Sequence, residues 1–182
     1  MAFIKRKKAV QHVEPPKSFS EMENAKDLLG FAAKNNIRTE PLDVAALAQL
    51  LRIRMIFEPM SGDDSGNLKK TKKTGEWVMT VNSLHHPNRQ RFTIAHELGH
   101  FINDSANHDE FSDTVFFRNG DSNPMEAAAN RFAAELLLPE HSFRDFVKNH
   151  SSKVEDIAEH FEVSSLAVRI RAKQLGYKGH NL

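Results

Sequence analysis

The feature that most constrains this chain is a His-Glu-x-x-His motif within an apolar segment, RFTIAHELGHF at positions 91–101. Side chains four positions apart project from the same face of an α-helix. His96 and His100 can therefore bind one metal ion together, at about 2.0–2.1 Å. Glu97 lies about 100° further round the helix, where it can hold and deprotonate a metal-bound water. The segment predicts a buried helix that carries a metal site.

A catalytic zinc site needs a third protein ligand and one open position. The segment PMEAAANRFAAELLLP predicts a helix whose apolar stripe consists of Ala129, Phe132, Ala133, Leu136 and Leu137. Glu126 extends this stripe, and a carboxylate at the end of a buried stripe needs a cation, so Glu126 is the expected third ligand. The alternatives are Glu135, Asp104, Asp109 and Glu110. Asn130, one turn after Glu126, can accept the free ring N–H of a ligating histidine.

The absence of cysteine limits the chemistry of the site. It excludes disulfides, a Cys-ligated zinc finger, an iron–sulfur centre and a cysteine nucleophile. Two histidines and one carboxylate predict a single Zn²⁺, although Mn²⁺ or Fe²⁺ can occupy such a ligand set. The chain has 25 Lys and Arg against 24 Asp and Glu, so its net charge of +1 does not indicate nucleic-acid binding.

The remaining pattern predicts an α+β fold with a helical majority. Helices are expected over 20–34, with Ser20 as N-cap, and over 42–51, 88–102, 124–138, 141–148, 153–161 and 164–175. Alternation predicts strands over 53–57, 65–70 and 77–81, which we expect to form a small antiparallel three-stranded sheet. The stretch 103–123 reads as irregular, and its apolar residues are expected to pack against the core: Phe111, Val115, Phe116 and Phe117.

Two segments, RQRFTIAHELGHF and the later MEAAANRFAAELLLP, resemble the ImmA/IrrE family of zinc metallo-endopeptidases. The resemblance extends from about Leu42 into the last helices and implies a gluzincin-like site on a zincin-like helix. It implies His96 and His100 as zinc ligands, Glu97 as the base and Glu126 as the third ligand. Many members carry a further histidine four residues after the second ligand, where this chain has Asp104.

The last helices, KVEDIAEHFEVSSLAVRIRAKQLG, are similar to a helix-turn-helix, with Ser164 as N-cap of the second helix and Glu162 where a turn glycine is common. This second helix carries Leu166, Val168, Ile170 and Leu175. A DNA-binding interpretation would use Ser165, Arg169 and Lys173, and we favour instead a helical hairpin that packs on the rest of the chain. Four residues remain alternatives for the group that stabilises the oxyanion: Tyr177, His141, Arg131 and His108.

The predicted organisation is a flexible basic arm over 1–19, a metallopeptidase domain over 20–150 and the helix-turn-helix-like segment over 151–182. No apolar stretch of membrane-spanning or signal-peptide length follows the basic N-terminus, so we expect a cytoplasmic protein without a membrane partner.

The resulting hypothesis is a zinc-dependent endopeptidase in which Glu97 activates a zinc-bound water. The resemblance implies that its substrate is a DNA-binding repressor encoded nearby. The alternative is a non-proteolytic regulatory binding protein, of prophage or toxin–antitoxin type, with a structural zinc.

Overall fold

The computed structural model describes residues 22–113 and 124–178. These residues form an α+β fold with seven helices and four strands. In chain order the elements are α1 (Ala25–Lys34), α2 (Val44–Leu50), β1 (Arg54–Glu58), β2 (Gly66–Lys70), β3 (Trp77–Asn82), α3 (Pro87–Asp104), β4 (Glu110–Asp113), α4 (Pro124–Leu137), α5 (Glu140–Asn149), α6 (Val154–Phe161) and α7 (Ser165–Gln174). The predicted arm over 1–19, and Val115, Phe116 and Phe117, lie outside the described residues.

All seven predicted helices are present, with ends that differ by a few residues. The largest difference is at α1, where Asn24 is the N-cap and its side chain accepts a hydrogen bond from the backbone of Asp27 at 3.0 Å. Asparagine is as good an N-cap as the expected Ser20, which lies outside the described residues. Ser164 caps α7 as predicted, through a 3.2 Å bond from the backbone of Ala167.

The predicted antiparallel three-stranded sheet is wrong in strand count and in strand direction. Over the described residues the sheet has four strands in the order β1-β3-β2-β4, and β1 runs parallel to β3. The fourth strand, β4, comes from the stretch expected to be irregular, and its Phe111 lies opposite Leu68 of β2 and is buried. The expectation that Phe111 packs against the core is therefore confirmed.

The side chain of Asn82 binds the loop that crosses from β1 to β2. Its amide donates to the carbonyl of Asp64 at 2.8 Å and accepts from the backbone of Met60 at 3.3 Å. These bonds hold the loop at the end of β3, and β2 pairs on the far side of β3 from β1. Alternating hydrophobicity carries no information about this crossover.

The predicted burial of the motif helix is confirmed, since every residue of α3 from Phe92 to His100 is buried. One side of α3 packs against the sheet at Gly66, where a Cβ would lie 2.6 Å from Thr93 Cγ2 and 2.8 Å from the Thr80 carbonyl. The other side packs against α4 at Gly99, where a Cβ would lie 3.1 Å from Ala129 Cα. Both glycines are therefore required for close approach.

One cluster of buried apolar side chains draws on all seven described helices and on the sheet. The predicted α4 stripe, Ala129, Phe132, Ala133, Leu136 and Leu137, is buried in full. On α7 the buried face differs from the apolar pattern, because Leu166 is 50% exposed whereas Arg171 is buried. The Arg171 guanidinium donates to the Leu138 carbonyl at 3.0 Å, so this backbone carbonyl just after the C-terminal end of α4 has a hydrogen-bond partner. Within the described ranges, no helix is both long and apolar enough to cross a membrane.

The turn between α6 and α7 is bound to the first turns of α3. Arg91 Nε donates to the Glu162 carbonyl at 3.0 Å, and Asn88 donates to the Val163 carbonyl at 3.0 Å. Glu162 adopts the left-handed conformation, with φ 53°, and its carboxylate lies 3.2 Å from Arg91 Nη1. The ion pair with the half-buried Arg91 accounts for a glutamate at a position where glycine is common.

We expect Gly99→Ala to lower the free energy of unfolding by about 1–3 kcal/mol, because the atoms that a methyl group would meet belong to the α4 backbone and to the first side-chain carbon of Phe132. Urea denaturation measures this change. The matched control is Gly30→Ala in α1, where nothing lies within 4 Å, and a gain of about 0.5–1 kcal/mol is expected. Equal effects at the two positions would contradict the close packing of α3 and α4.

Two substitutions of Glu162 distinguish the effect of its left-handed backbone on stability from the effect of its ion pair. Both Glu162→Ala and Glu162→Gly remove the ion pair, but only glycine relieves the left-handed conformation. We expect the alanine variant to unfold more easily than the wild type, and the glycine variant to be more stable than the alanine variant by about 1 kcal/mol, because the relieved strain offsets the lost ion pair. Thermal and urea denaturation of the pair measure the difference, and equal stability would exclude the backbone contribution.

Candidate metal centre

Three side chains predicted as metal ligands meet at one point between α3 and α4. His96 Nε2 and His100 Nε2 lie 3.0 Å apart. The two carboxylate oxygens of Glu126 face them, Oε2 at 3.3 Å from His96 Nε2 and Oε1 at 3.3 Å from His100 Nε2. Within the described ranges, this is the cluster of His, Cys, Asp or Glu side chains that could hold a metal ion.

The spacing of these atoms fits a tetrahedral ion. Two ligand atoms about 2.0–2.1 Å from a tetrahedral ion are about 3.3–3.4 Å from each other. The distances of 3.0 Å and 3.3 Å among the nitrogen and oxygen atoms are close to this value. The cluster therefore has the size of a zinc-type coordination shell.

The hydrogen bonds at the opposite ring nitrogens support the same interpretation. His96 Nδ1 donates to Asn130 Oδ1 at 3.0 Å, and His100 Nδ1 donates to Asp104 Oδ2 at 3.2 Å. With an ion bound at Nε2, the proton of each neutral ring stays on Nδ1, and the lone pair of Nε2 is directed at the ion. Lone pairs of two imidazoles and a carboxylate that converge in a buried site repel one another unless a cation lies between them.

The charge state of Glu126 suits a metal ligand. Without an ion, the Nε2 atoms of His100 and His96 lie within hydrogen-bonding distance of the Glu126 carboxylate, and these contacts hold the pKa of the Glu126 carboxyl well below its usual range against the opposite effect of partial burial. The carboxylate is therefore ionised at neutral pH, as metal binding requires. Its side chain is 38% exposed, so the cluster is open to solvent on this side.

Glu97 lies on the neighbouring face of α3 and is fully buried. A Cβ at position 66 would lie 3.5 Å from Glu97 Oε1, so the carboxylate is next to the first residue of β2. The motif helix thus presents His96 and His100 towards α4 and Glu97 towards the start of β2.

An aromatic stack supports the second histidine. The His100 ring lies parallel to the Phe111 ring at 4.8 Å between centroids, and Phe111 stacks on Trp77 at 6.2 Å. Trp77 also meets Phe101 edge to face at 5.7 Å, and Lys70 Nζ lies 5.8 Å from its ring. Sequence reasoning missed this role of Phe111, since β4 itself was not predicted.

The remaining candidate ligands lie elsewhere. Glu135 pairs with Arg171 at 3.7 Å, and Asp109 pairs with Lys70 at 3.6 Å. Glu110 is the cross-strand neighbour of Lys69. Asp104 contacts Nδ1 of His100, which is the nitrogen that faces away from the cluster.

The four candidate oxyanion-stabilising residues are scattered over the surface and the core. Tyr177 packs edge to face against Phe143, 5.7 Å between centroids, and His108 lies 5.9 Å from Phe111. His141 acts electrostatically on Glu40, and Arg131 is exposed on α4. None of these contacts involves a side chain of the metal cluster, so the assignment of an oxyanion-stabilising group stays open.

Residues 48–173 match the sequence model of the Peptidase_M78 family, described as the IrrE N-terminal-like domain. The chain therefore belongs to this family of peptidases, which confirms the resemblance found in its sequence. No curated protein matches the sequence significantly.

Among solved structures, the fold is similar to that of a Mycobacterium tuberculosis transcriptional regulator, with a TM-score of 0.56 and 17% sequence identity. The similarity covers 87% of this chain and 48% of the regulator, so the chain spans about half the length of that protein. At this identity the likeness concerns the fold alone.

Metal content tests the cluster directly. We expect purified wild-type protein to retain about one zinc ion per chain after dialysis, and Glu126→Ala to lose most of it, because the third ligand is removed. Glu135→Ala, on the same helix, is the matched control and should retain the metal. Elemental analysis measures the stoichiometry, and equal zinc in the two variants would exclude Glu126 as a ligand.

Proposed function

We propose that this chain is a zinc-dependent endopeptidase that cleaves a peptide bond in a protein substrate. The observation that carries the proposal is the meeting of His96, His100 and Glu126 on a motif helix that also carries the buried Glu97. Membership of a peptidase family supports it. In this proposal α3 is a zincin-like active-site helix.

Each residue has a separate task in the proposed reaction. His96, His100 and Glu126 would hold the ion, and zinc bound there would supply a Lewis acid that polarises the scissile carbonyl and acidifies water. Glu97 would take a proton from the attacking water and pass it to the leaving amine. Asn130 would fix the His96 ring, because Nδ1 of that ring donates to its amide oxygen.

The burial of Glu97 favours this task. A carboxylate held between the motif helix and the start of β2 is shielded from bulk water, and the packing around it restricts its position. A base with a fixed position contributes by orientation as well as by its affinity for protons.

We further propose a DNA-binding transcriptional repressor, encoded nearby, as the substrate. This follows from the resemblance in the sequence and is an analogy at the level of the family. The division into a peptidase domain over 20–150 and a helix-turn-helix-like segment over 151–182 belongs to the same proposal. Arg91 and Asn88, which bond to the α6–α7 turn, support the packing of that segment on the peptidase domain.

A second candidate function is a non-proteolytic regulatory binding protein. The observation that favours it is the exposure of Ser165, Arg169 and Lys173 on α7, the residues that a DNA-binding interpretation uses. The helix α6 exposes three acidic residues, Glu155, Asp156 and Glu159. Their negative charges would repel a phosphate backbone, so a protein partner suits this helix pair better than DNA.

Replacing Glu97 distinguishes the two functions. We expect Glu97→Gln to bind zinc as the wild type does and to cleave the purified neighbouring repressor about 10²–10⁴-fold more slowly, because the base is lost. Glu23→Gln, at an exposed position before α1, is the control and should cleave normally. Cleavage is followed by electrophoresis and mass spectrometry. Unchanged cleavage by Glu97→Gln would exclude its role, and a zinc-loaded wild type that binds the repressor without cutting it would favour the second function.

A further inference from the structure

Asp104 is the last residue of α3 and lies one helical turn after His100. His100 Nδ1 donates to Asp104 Oδ2 at 3.2 Å, whereas Nε2 of the same ring faces His96 and Glu126. The two nitrogens of an imidazole are on opposite sides of the ring. Asp104 therefore lies behind His100 and cannot share its ion, although the helical spacing of His96, His100 and Asp104 places all three on one face.

The two histidines of the cluster are held by different kinds of partner. His96 bonds to the neutral amide of Asn130, whereas His100 bonds to a carboxylate. A carboxylate is the stronger acceptor, and it makes the opposite ring nitrogen a better metal ligand. Phe111 adds a second restraint at His100, because the two rings are stacked with an interplanar angle of 10°.

A contribution of Asp104 to helix stability does not explain its position. A negative charge at the C-terminal end of a helix is unfavourable with respect to the helix dipole. The carboxylate is 22% exposed, so it retains contact with water while its partner, His100, is fully buried. The contact with His100 is thus the interaction that favours an aspartate here.

We propose that Asp104 is a positioning residue for the metal centre. It holds His100 in the tautomer protonated at Nδ1, directs the Nε2 lone pair towards the ion and strengthens that nitrogen as a ligand. This inference rests on the metal site of the proposed function and concerns affinity for the ion.

Zinc affinity tests the inference without a substrate. Competition with a chromophoric chelator measures the dissociation constant of Zn²⁺ for the wild type, Asp104→Ala and Asp104→Asn. We expect the alanine variant to bind zinc about 10–100-fold more weakly. The asparagine variant should lose less, because its amide oxygen can still accept the Nδ1 proton. Asp109→Asn is the matched control, since Asp109 is an exposed partner of Lys70, and its affinity should not change.

Two further measurements separate positioning from a structural role. In the zinc-loaded protein, the His100 Nδ1–H proton should exchange slowly with water in ¹H–¹⁵N NMR spectra of the wild type and faster in Asp104→Ala, where its acceptor is missing. Urea denaturation of the metal-free proteins should show that Asp104→Ala still folds cooperatively, with some loss of stability because the buried His100 N–H loses its acceptor, and that Asp104→Asn stays close to the wild type.

Three results would contradict the role of Asp104 as a positioning residue. An affinity of Asp104→Ala within about twofold of the wild type, or an unchanged exchange rate of the His100 Nδ1–H proton, would overturn the inference. A loss of zinc affinity that is matched by unfolding of the metal-free variant would also overturn it. If the wild type binds no zinc, the proposed metal site fails and this inference fails with it, whereas a wild type that binds zinc no more tightly than Asp104→Ala overturns this inference alone.

Discussion

The close approach of α3 and α4 is the constraint on which the metal cluster depends. Two histidines on α3 form a site only if a third ligand comes within about 3.3–3.4 Å of both of them. That ligand is on another helix, and helices normally pack with their axes 8–10 Å apart. The small residues Gly99 and Ala129 permit a tight contact at this crossing. Glu126 is one turn before Ala129, so its carboxylate lies next to the two imidazoles.

The motif helix α3 is in contact with other elements on several sides, and some of these contacts are made directly to its polar side chains. The sheet packs against it at Gly66, beside Glu97, and the α6–α7 turn bonds to Arg91 near its first turn. Asn130 and Asp104 bond to the outer nitrogens of the two histidines. Polar groups buried in this way need complete hydrogen bonding, because an unsatisfied one destabilises the folded state.

The sequence predicts those parts of the fold that depend on local periodicity. The α4 stripe and Ser164 as a helix cap were correctly predicted, because helix formation and capping involve residues only a few positions apart. The strand order was not, because it depends on contacts between segments far apart in the chain, such as the bond from Asn82 to the loop at Asp64. The burial of Arg171 and the exposure of Leu166 reverse the apolar pattern of α7 for a similar reason, since Arg171 bonds to the Leu138 carbonyl just after the end of α4.

For the candidate site, the sequence by itself determined which residue types are available and which of them share a helix face. The spacing of His96, Glu97 and His100 already separates two ligand positions from a neighbouring carboxylate, since helix geometry is local. Only the tertiary structure shows which carboxylate faces the two histidines, because Glu126, Asp104 and Glu135 differ in which ring nitrogen or cation they meet. Those distances depend on the packing of α3 against α4 and on the sheet, and such packing is set by side chains far apart in the chain.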